Sequence, residues 1–275
     1  MFIVDPSDTN LDAVHLVEAA VDGGCDAIQL RGNRLSPSAM RDAAIEMKRA
    51  IGVRAMLIVN SHPSIAADLG LALHLPEAGI ATAEARRAVG STTIIGRSVH
   101  SPAAATAATG ADYLLAGHVF PSRSKPGTPP IGLTGFRQIM EATWQPVLAV
   151  GGVTVERIPA LVAAGAAGVA VIDAIARAPD PRAAAATLRL AIDDAVPDSA
   201  DATAPAETMV SLVVNGKPLT IEPESTITDF LADRGLAGGM VVVELNGNVI
   251  ARRAFDHTFF SDGDQVEVVH AVGGG

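Results

Sequence analysis

Short apolar segments recur through the first 195 residues at intervals of about 20–25 residues, the length of one β-strand plus one α-helix. Several are continuously apolar, which is typical of parallel strands buried on both faces. Alanine-rich segments with helical spacing separate them, among them residues 11–21 and 37–51, and glycine closes several of these. The eight apolar segments are residues 2–4, 27–30, 55–59, 71–75, 93–96, 113–116, 147–150 and 168–172.

This alternation predicts an α/β fold in which eight strands close into a (β/α)8 TIM barrel. At about 195 residues the barrel is at the short end for that fold, and an open doubly wound sheet is the alternative. No G-x-G-x-x-G pattern follows the first strand, so a dinucleotide site has little support. The chain has 275 residues, which leaves room for a second, small domain.

A change of composition marks the boundary between the two domains. Residues 196–208 lack apolar periodicity and are rich in Ala, Pro, Asp, Ser and Thr, as expected of a linker. We therefore predict a barrel at residues 1–195, a linker at 196–208 and a small domain at 209–275. Asn215-Gly216 lies between apolar runs and predicts a hairpin, and a helix from Ile227 to Arg234 and strands at 240–245 and 265–269 follow. This is the β-grasp order of ubiquitin-like proteins.

The chain ends in Gly273-Gly274-Gly275. Glycine loses the most conformational entropy on ordering, so three glycines in succession favour a mobile tail. A thin tail with a free carboxylate can enter the active site of another enzyme, which suggests that the carboxylate is chemically activated. The alternative is an ordinary frayed terminus.

Composition narrows the possible functions. A formal net charge of −10 argues against a sequence-independent nucleic-acid binder. No apolar run is long enough to cross a bilayer and no signal peptide is evident, so we expect a cytoplasmic protein without a membrane partner. The single cysteine, Cys25, excludes an intramolecular disulfide and a cysteine metal cluster.

The small domain resembles the ThiS family of sulfur carriers in thiamine biosynthesis. The resemblance rests on the terminal glycines and on segments 214–218, 243–247 and 262–266, which read VNGKP, VELNG and DGDQV. It implies that an ATP-dependent, ThiF-like enzyme adenylates the carboxylate of Gly275. The Gly274-Gly275 terminus would then carry sulfur as a thiocarboxylate and deliver it to thiazole synthase. ATP is thus expected as a cofactor of the partner enzyme only.

Residues 1–195 resemble the thiamine phosphate synthase family, which has a synthase branch and a thiazole tautomerase (TenI) branch. The synthase branch binds a pyrimidine pyrophosphate through magnesium and carries acidic residues after the strand-3 asparagine and after strand 4. Here Ser61 follows Asn60, and Glu77 is the only acid near the end of strand 4. His118 stands where synthases normally have no histidine, which favours the TenI branch. The resemblance is carried by segments 28–31, 57–60, 74–75, 96–100, 117–120 and 149–153.

The tautomerase resemblance implies that the barrel converts a carboxythiazole phosphate to its aromatic form with a single proton-transferring residue and no cofactor or metal. Histidine suits this role because both of its protonation states are accessible near neutral pH. His118, at the carboxyl end of strand 6, is the expected catalytic residue. We interpret His74 as a satisfied core histidine and His100 as structural.

The substrate carries a phosphate and a carboxylate, so cationic side chains and backbone amides are expected around it. Asp173, after strand 8, departs from the small neutral residue usual in the family. The expected substrate-binding residues are Arg31, Asn60, Arg97, Lys125, Gly151 and Gly152.

Two alternatives remain for the barrel. In one, it is a thiamine phosphate synthase that couples thiazole phosphate to the pyrimidine pyrophosphate. In the other, it is a non-catalytic docking module for the sulfur carrier. Homo-oligomerisation of the barrel is left open.

Overall fold

A computed structural model describes residues 1–8, 12–32, 34–123, 125–143, 145–195, 209–234, 236 and 241–270. The chain divides into two compact units, Met1–Pro197 and Asp198–Gly275. The predicted linker at 196–208 and the terminal glycines lie outside the described residues. Within those ranges no helix combines the length and the apolar character that a bilayer-spanning segment needs.

The first unit is a ring of eight parallel strands in sequence order, each paired with the next. A parallel bridge between Phe2 and Val171 joins the first strand to the end of the last, and the amide of Ile3 donates to the carbonyl of Val171 at 2.9 Å. The predicted (β/α)8 barrel is confirmed, and the open sheet is excluded. The strands are β1 Phe2–Val4, β2 Ala27–Leu30, β3 Met56–Asn60, β4 Ala72–Leu75, β5 Ile95–Val99, β6 Tyr113–Gly117, β7 Val147–Val150 and β8 Gly168–Ala170.

Helices follow the strands, and local sequence signals set several of their ends. In α2 the hydroxyl of Ser36 accepts from the amide of Ala39, Pro37 occupies the first turn, and Gly52 ends the helix at φ 58°. The helices are α1 Ala13–Asp22, α2 Pro37–Ile51, α3 Pro63–Leu69, α4 Thr82–Val89, α5 Pro102–Ala107, α6 Gly132–Glu141, α7 Ile158–Val162, α8 Asp173–Ala176 and α9 Pro181–Ala195, with a 3₁₀ turn at Val155–Arg157.

Alternation along the strands separates an outer core from the barrel interior. Leu114 and Ala116 pack with the strand–helix core, whereas Leu115 packs with Ile3 and Ala170 in a separate cluster. Successive strand residues point to opposite faces, so this cluster lies inside the ring. It closes the interior beneath the ends of the strands.

In the second unit the described residues form a five-stranded mixed sheet and one α-helix, which confirms the predicted β-grasp fold. Asn215 and Gly216 have φ values of 47° and 76° and form the two-residue turn between the first two strands. The order in the sheet is β10-β9-β13-β11-β12, with β9 and β13 parallel. The elements are β9 Val210–Val214, β10 Lys217–Ile221, α10 Ile227–Asp233, β11 Val241–Leu245, β12 Asn248–Ile250 and β13 Gln265–His270, with a 3₁₀ helix at Arg252–His257. The short β12 and the 3₁₀ helix were not predicted.

Candidate active site

A cavity of about 650 Å³ opens at the carboxyl ends of the barrel strands, and its size suits a small-molecule ligand. Ile3, Leu115 and Ala170 from the interior cluster form part of its wall. The structure brings six of the seven predicted catalytic and substrate-binding residues to this cavity: Arg31, Asn60, His118, Lys125, Gly151 and Gly152.

His118 directly follows β6 and is only 5% exposed. Its Nε2 lies 3.1 Å from the backbone carbonyl oxygen of Thr128. A carbonyl can only accept, so Nε2 carries the hydrogen and donates it. In the neutral ring this leaves Nδ1 as the basic nitrogen. The barrel thus presents one buried histidine with a defined tautomer at the cavity wall.

The two glycines after β7 allow the backbone to pass close to His118. Gly151 has φ 94°, and a Cβ added there would lie 2.2 Å from the Cβ of His118. Gly152 has φ 64°, and its Cβ would lie 2.5 Å from the carbonyl oxygen of Pro121. Both positions therefore require glycine for close approach as well as for conformation. The sequence had assigned these glycines to phosphate binding alone.

Arg157 was missed by the sequence analysis, although it lines the cavity. Its guanidinium carbon lies 4.6 Å from the ring centroid of Phe120, and it donates to the carbonyl of Gly152. It places a cation on the same side of the cavity as the glycine loop. Arg157 is five residues beyond Gly152 in a 3₁₀ turn, and no motif in the sequence marked it.

Arg97 is the predicted binding residue that the structure does not bring to the cavity. The expected fifth strand ended at Gly96, which placed Arg97 beyond it, whereas β5 runs from Ile95 to Val99. Ser98 faces the cavity, so its neighbour Arg97 points to the other face of the strand. There Arg97 donates to the carbonyls of Glu77 at 3.0 Å and Ile80 at 2.9 Å and holds the segment between β4 and α4 in place.

Amides line the β2–β3 side of the cavity. The Nε2 of Gln29 donates to the Oδ1 of Asn60 at 3.4 Å, and the Nδ2 of Asn60 donates to the Oγ of Ser61 at 2.9 Å. The Oε1 of Gln29 is buried without a hydrogen-bond partner among the described residues. A ligand that donates a hydrogen bond would satisfy this acceptor.

Three charged or polar side chains form a chain across the β4–β6 side of the cavity. The Nδ1 of His100 lies 2.7 Å from the Oε2 of Glu77, and its Nε2 lies 2.8 Å from the Nζ of Lys125. All three residues line the cavity. His100 was expected to be structural, and its contact with Lys125 follows only from the folded arrangement of three separate loops.

His74 is a hydrogen-bonded core residue below the cavity, 1% exposed. Its Nδ1 lies 3.1 Å from the hydroxyl of Tyr113 and its Nε2 lies 2.8 Å from the Oγ of Ser98. Burial, together with the charges of Arg97 and Arg31, lowers the pKa of His74 to about 3. His74 is therefore neutral at physiological pH.

The two acidic side chains at the cavity are each engaged by a basic side chain. Glu77 contacts His100, Asp173 contacts Arg177 at 3.1 Å, and Ser61 stands where the synthase branch has an acid. In the described part of the chain, no group of three or more His, Cys, Asp or Glu side chains is arranged to hold a metal ion. Mg²⁺ held by one or two carboxylates together with substrate phosphates would have to displace His100 or Arg177 from these acids.

The closed barrel and the cavity at its mouth define a small-molecule enzyme of the (β/α)8 class. A family model described as thiamine monophosphate synthase matches residues 1–175, and a model of the ThiS family matches residues 212–275. The chain belongs to the thiamine monophosphate synthase (TMP-TENI) family and joins a barrel of that family to a ThiS-family domain.

Individual relatives agree with this assignment. The thiamine-phosphate synthase of Roseiflexus castenholzii is 41% identical over 182 residues, which are 64% of this chain and 79% of that protein. The thiamine-phosphate synthase of Mycobacterium bovis is 38% identical over 196 residues, 66% of this chain and 88% of that protein. The solved thiamine phosphate pyrophosphorylase from Pyrococcus furiosus matches with a TM-score of 0.64 at 29% identity, covering 71% of this chain and 96% of that one.

The predicted place in thiamine biosynthesis is confirmed by these matches. The names of the curated relatives favour the synthase alternative over the tautomerase.

Proposed function

We propose that the barrel is a thiazole tautomerase in which His118 moves the proton. The observation that carries the proposal is the buried His118, held in one tautomer by the carbonyl of Thr128, in a cavity whose two carboxylates are engaged by His100 and Arg177. A tautomerase needs an acid–base group and no metal, and this is the chemistry that the cavity supplies.

In the proposed reaction, Nδ1 of His118 takes the proton from the ring carbon that bears the carboxylate. The electron pair of the broken C–H bond enters the ring, and the exocyclic double bond shifts its electrons to its outer carbon. That carbon then takes the proton back from Nδ1, so the ring becomes aromatic and no proton is gained or lost overall. One histidine suffices because it serves first as base and then as acid.

Thiamine phosphate synthesis is the second candidate for the barrel. It is supported by the names of the relatives at 41% and 38% identity. The donor set at Ser61 and Glu77 argues against the magnesium-held pyrophosphate that this reaction needs in the synthase branch.

One experiment separates the candidates. Purified full-length protein is mixed with the carboxythiazole phosphate tautomer, and aromatisation is followed by ultraviolet absorbance with wild type, His118→Asn and His118→Gln. We expect acceleration by the wild type and a loss of about 10²–10⁴-fold in both variants, the usual contribution of a general acid–base. The same preparations are assayed for thiamine phosphate formation with magnesium. Turnover there, without acceleration of aromatisation, would establish the synthase. If the protein is active in neither assay, the remaining alternative is that the barrel is a non-catalytic docking module for the sulfur carrier.

For the small domain we propose that the carboxylate of Gly275 accepts sulfur after adenylation by an ATP-dependent, ThiF-like enzyme and passes it to thiazole synthase. The proposal is supported by the match to the ThiS family at residues 212–275. Intact-mass spectrometry after incubation with that enzyme, ATP and a sulfur source tests it. A shift of about 16 Da, oxygen replaced by sulfur, is expected for the wild type and none for a chain that lacks all three residues Gly273, Gly274 and Gly275.

A further inference from the structure

We infer that Lys125, oriented by His100 and Glu77, is the carboxylate-recognition site of the barrel. In this assignment the phosphate of the substrate binds to the loop of Gly151 and Gly152, on the other side of the cavity. This inference rests on the proposed tautomerase and names the group that distinguishes its substrate from other thiazole phosphates. The set Glu77, His100 and Lys125 is called the relay below.

The donors and acceptors of the relay allow only one arrangement of hydrogens. The ammonium of Lys125 can only donate, so Nε2 of His100 accepts at 2.8 Å. The Nδ1 of His100 therefore carries the ring hydrogen and donates to the carboxylate of Glu77 at 2.7 Å. Carboxylates orient metal-binding histidines in the same way, and here an ammonium takes the place of the metal.

The relay orients Lys125 without consuming its binding capacity. Only one of the three N–H groups of the ammonium is used by His100, and the remaining two can be donated to an anion. Lysine side chains lose considerable rotamer entropy when fixed. A lysine already held in place by His100 binds an anion at a lower entropic cost than a freely rotating one.

The position of the relay in the ring selects the carboxylate rather than the phosphate. Glu77 and His100 follow β4 and β5, whereas Gly151 and Gly152 follow β7. Arg157 lies on the β7 side with the glycines. His118 and Lys125 both follow β6, which lies between β4 and β5 on one side and β7 on the other in the order of the strands. A substrate with its phosphate at the glycine loop and its carboxylate at Lys125 places the carbons that exchange the proton near His118.

Binding measurements with two ligands test this assignment without relying on turnover. Isothermal titration calorimetry of the full-length protein compares the aromatic carboxythiazole phosphate with the same thiazole phosphate lacking the carboxylate. The variants are Lys125→Met, His100→Asn and His100→Gln. Asparagine retains a polar group near the position of Nδ1 and loses the acceptor for Lys125. Glutamine places a carbonyl oxygen near the position of Nε2 and retains that acceptor.

We expect Lys125→Met to weaken binding of the carboxylated ligand about tenfold or more and His100→Asn to weaken it about three- to tenfold, because both residues are partly exposed. His100→Gln should restore affinity to within about twofold, and adding His100→Asn to Lys125→Met should cause no further loss. Affinity for the ligand without the carboxylate should be unchanged in every variant. A uniform loss for both ligands, as misfolding or phosphate contact would cause, overturns the inference.

Failure of this inference is distinguishable from failure of the tautomerase. If the wild type accelerates aromatisation but the variants keep their preference for the carboxylated ligand, the relay does not recognise the carboxylate, and the tautomerase activity is still supported. If the preference depends on Lys125 and His100 while no aromatisation is accelerated, the carboxylate site stands and the tautomerase is rejected.

Discussion

Gly151 couples the backbone after β7 to the position of His118, and replacing it by alanine tests that coupling. The added Cβ would lie 2.2 Å from the Cβ of His118, more than 1 Å short of ordinary van der Waals contact. The atoms in conflict are close to the backbone on both sides, so no flexible side chain can move away. Overpacking of this kind costs about 1–3 kcal/mol, and φ of 94° adds about 1–2 kcal/mol for a residue with a Cβ.

We therefore expect Gly151→Ala to lower the free energy of unfolding by about 3 kcal/mol and to displace His118 by about 1 Å. A displacement of that size reduces turnover by about 10²-fold. Gly70→Ala is the control, because Gly70 has φ 61° and ψ 45°, in the left-handed region, and no atom within 4 Å of an added Cβ. This control variant should lose about 1–2 kcal/mol of the free energy of unfolding, because of backbone strain alone, and should retain full turnover.

The assays are urea unfolding followed by circular dichroism and aromatisation of the carboxythiazole phosphate at saturating substrate. If Gly151→Ala lost no more stability and no more activity than Gly70→Ala, the close approach to His118 would not constrain the site. A loss of substrate affinity with unchanged turnover would assign Gly151 to phosphate binding alone.

Two further predictions concern stability. The pKa of His74 is lowered to about 3 from 6.5, so the stability it confers is complete above pH 6.5 and falls towards pH 3 as the unfolded chain takes up the proton. When the pH is lowered from 7.5 to 5, the free energy of unfolding measured in urea should fall by about 2 kcal/mol less in His74→Gln than in the wild type. An equal loss would contradict this pKa. Thr226 and Asp229 form a capping box at α10; Thr226→Ala should destabilise the small unit by about 1 kcal/mol in thermal unfolding, whereas Thr226→Ser should not.

Most of the fold was predictable because it depends on local signals. The α2 helix occupies residues 37–51 as its spacing and its flanking Ser36 and Gly52 indicate, and the Asn215-Gly216 turn joins the expected strands. The end of β5 was less predictable. Strand ends depend on hydrogen bonds to neighbouring strands, and the shift from residues 93–96 to Ile95–Val99 moved Arg97 away from the cavity.

The sequence by itself determined the two-domain composition, the eight strands and the placement of His118 at a strand end, because periodicity and turn residues act over a few neighbouring positions. Only the tertiary structure decided which side chains meet. Lys125 contacts His100, 25 residues away, and Gly151 approaches His118 from the next strand. Closing the ring brings separate loops to one end of the barrel, and these distances depend on strand order and register rather than on any local pattern.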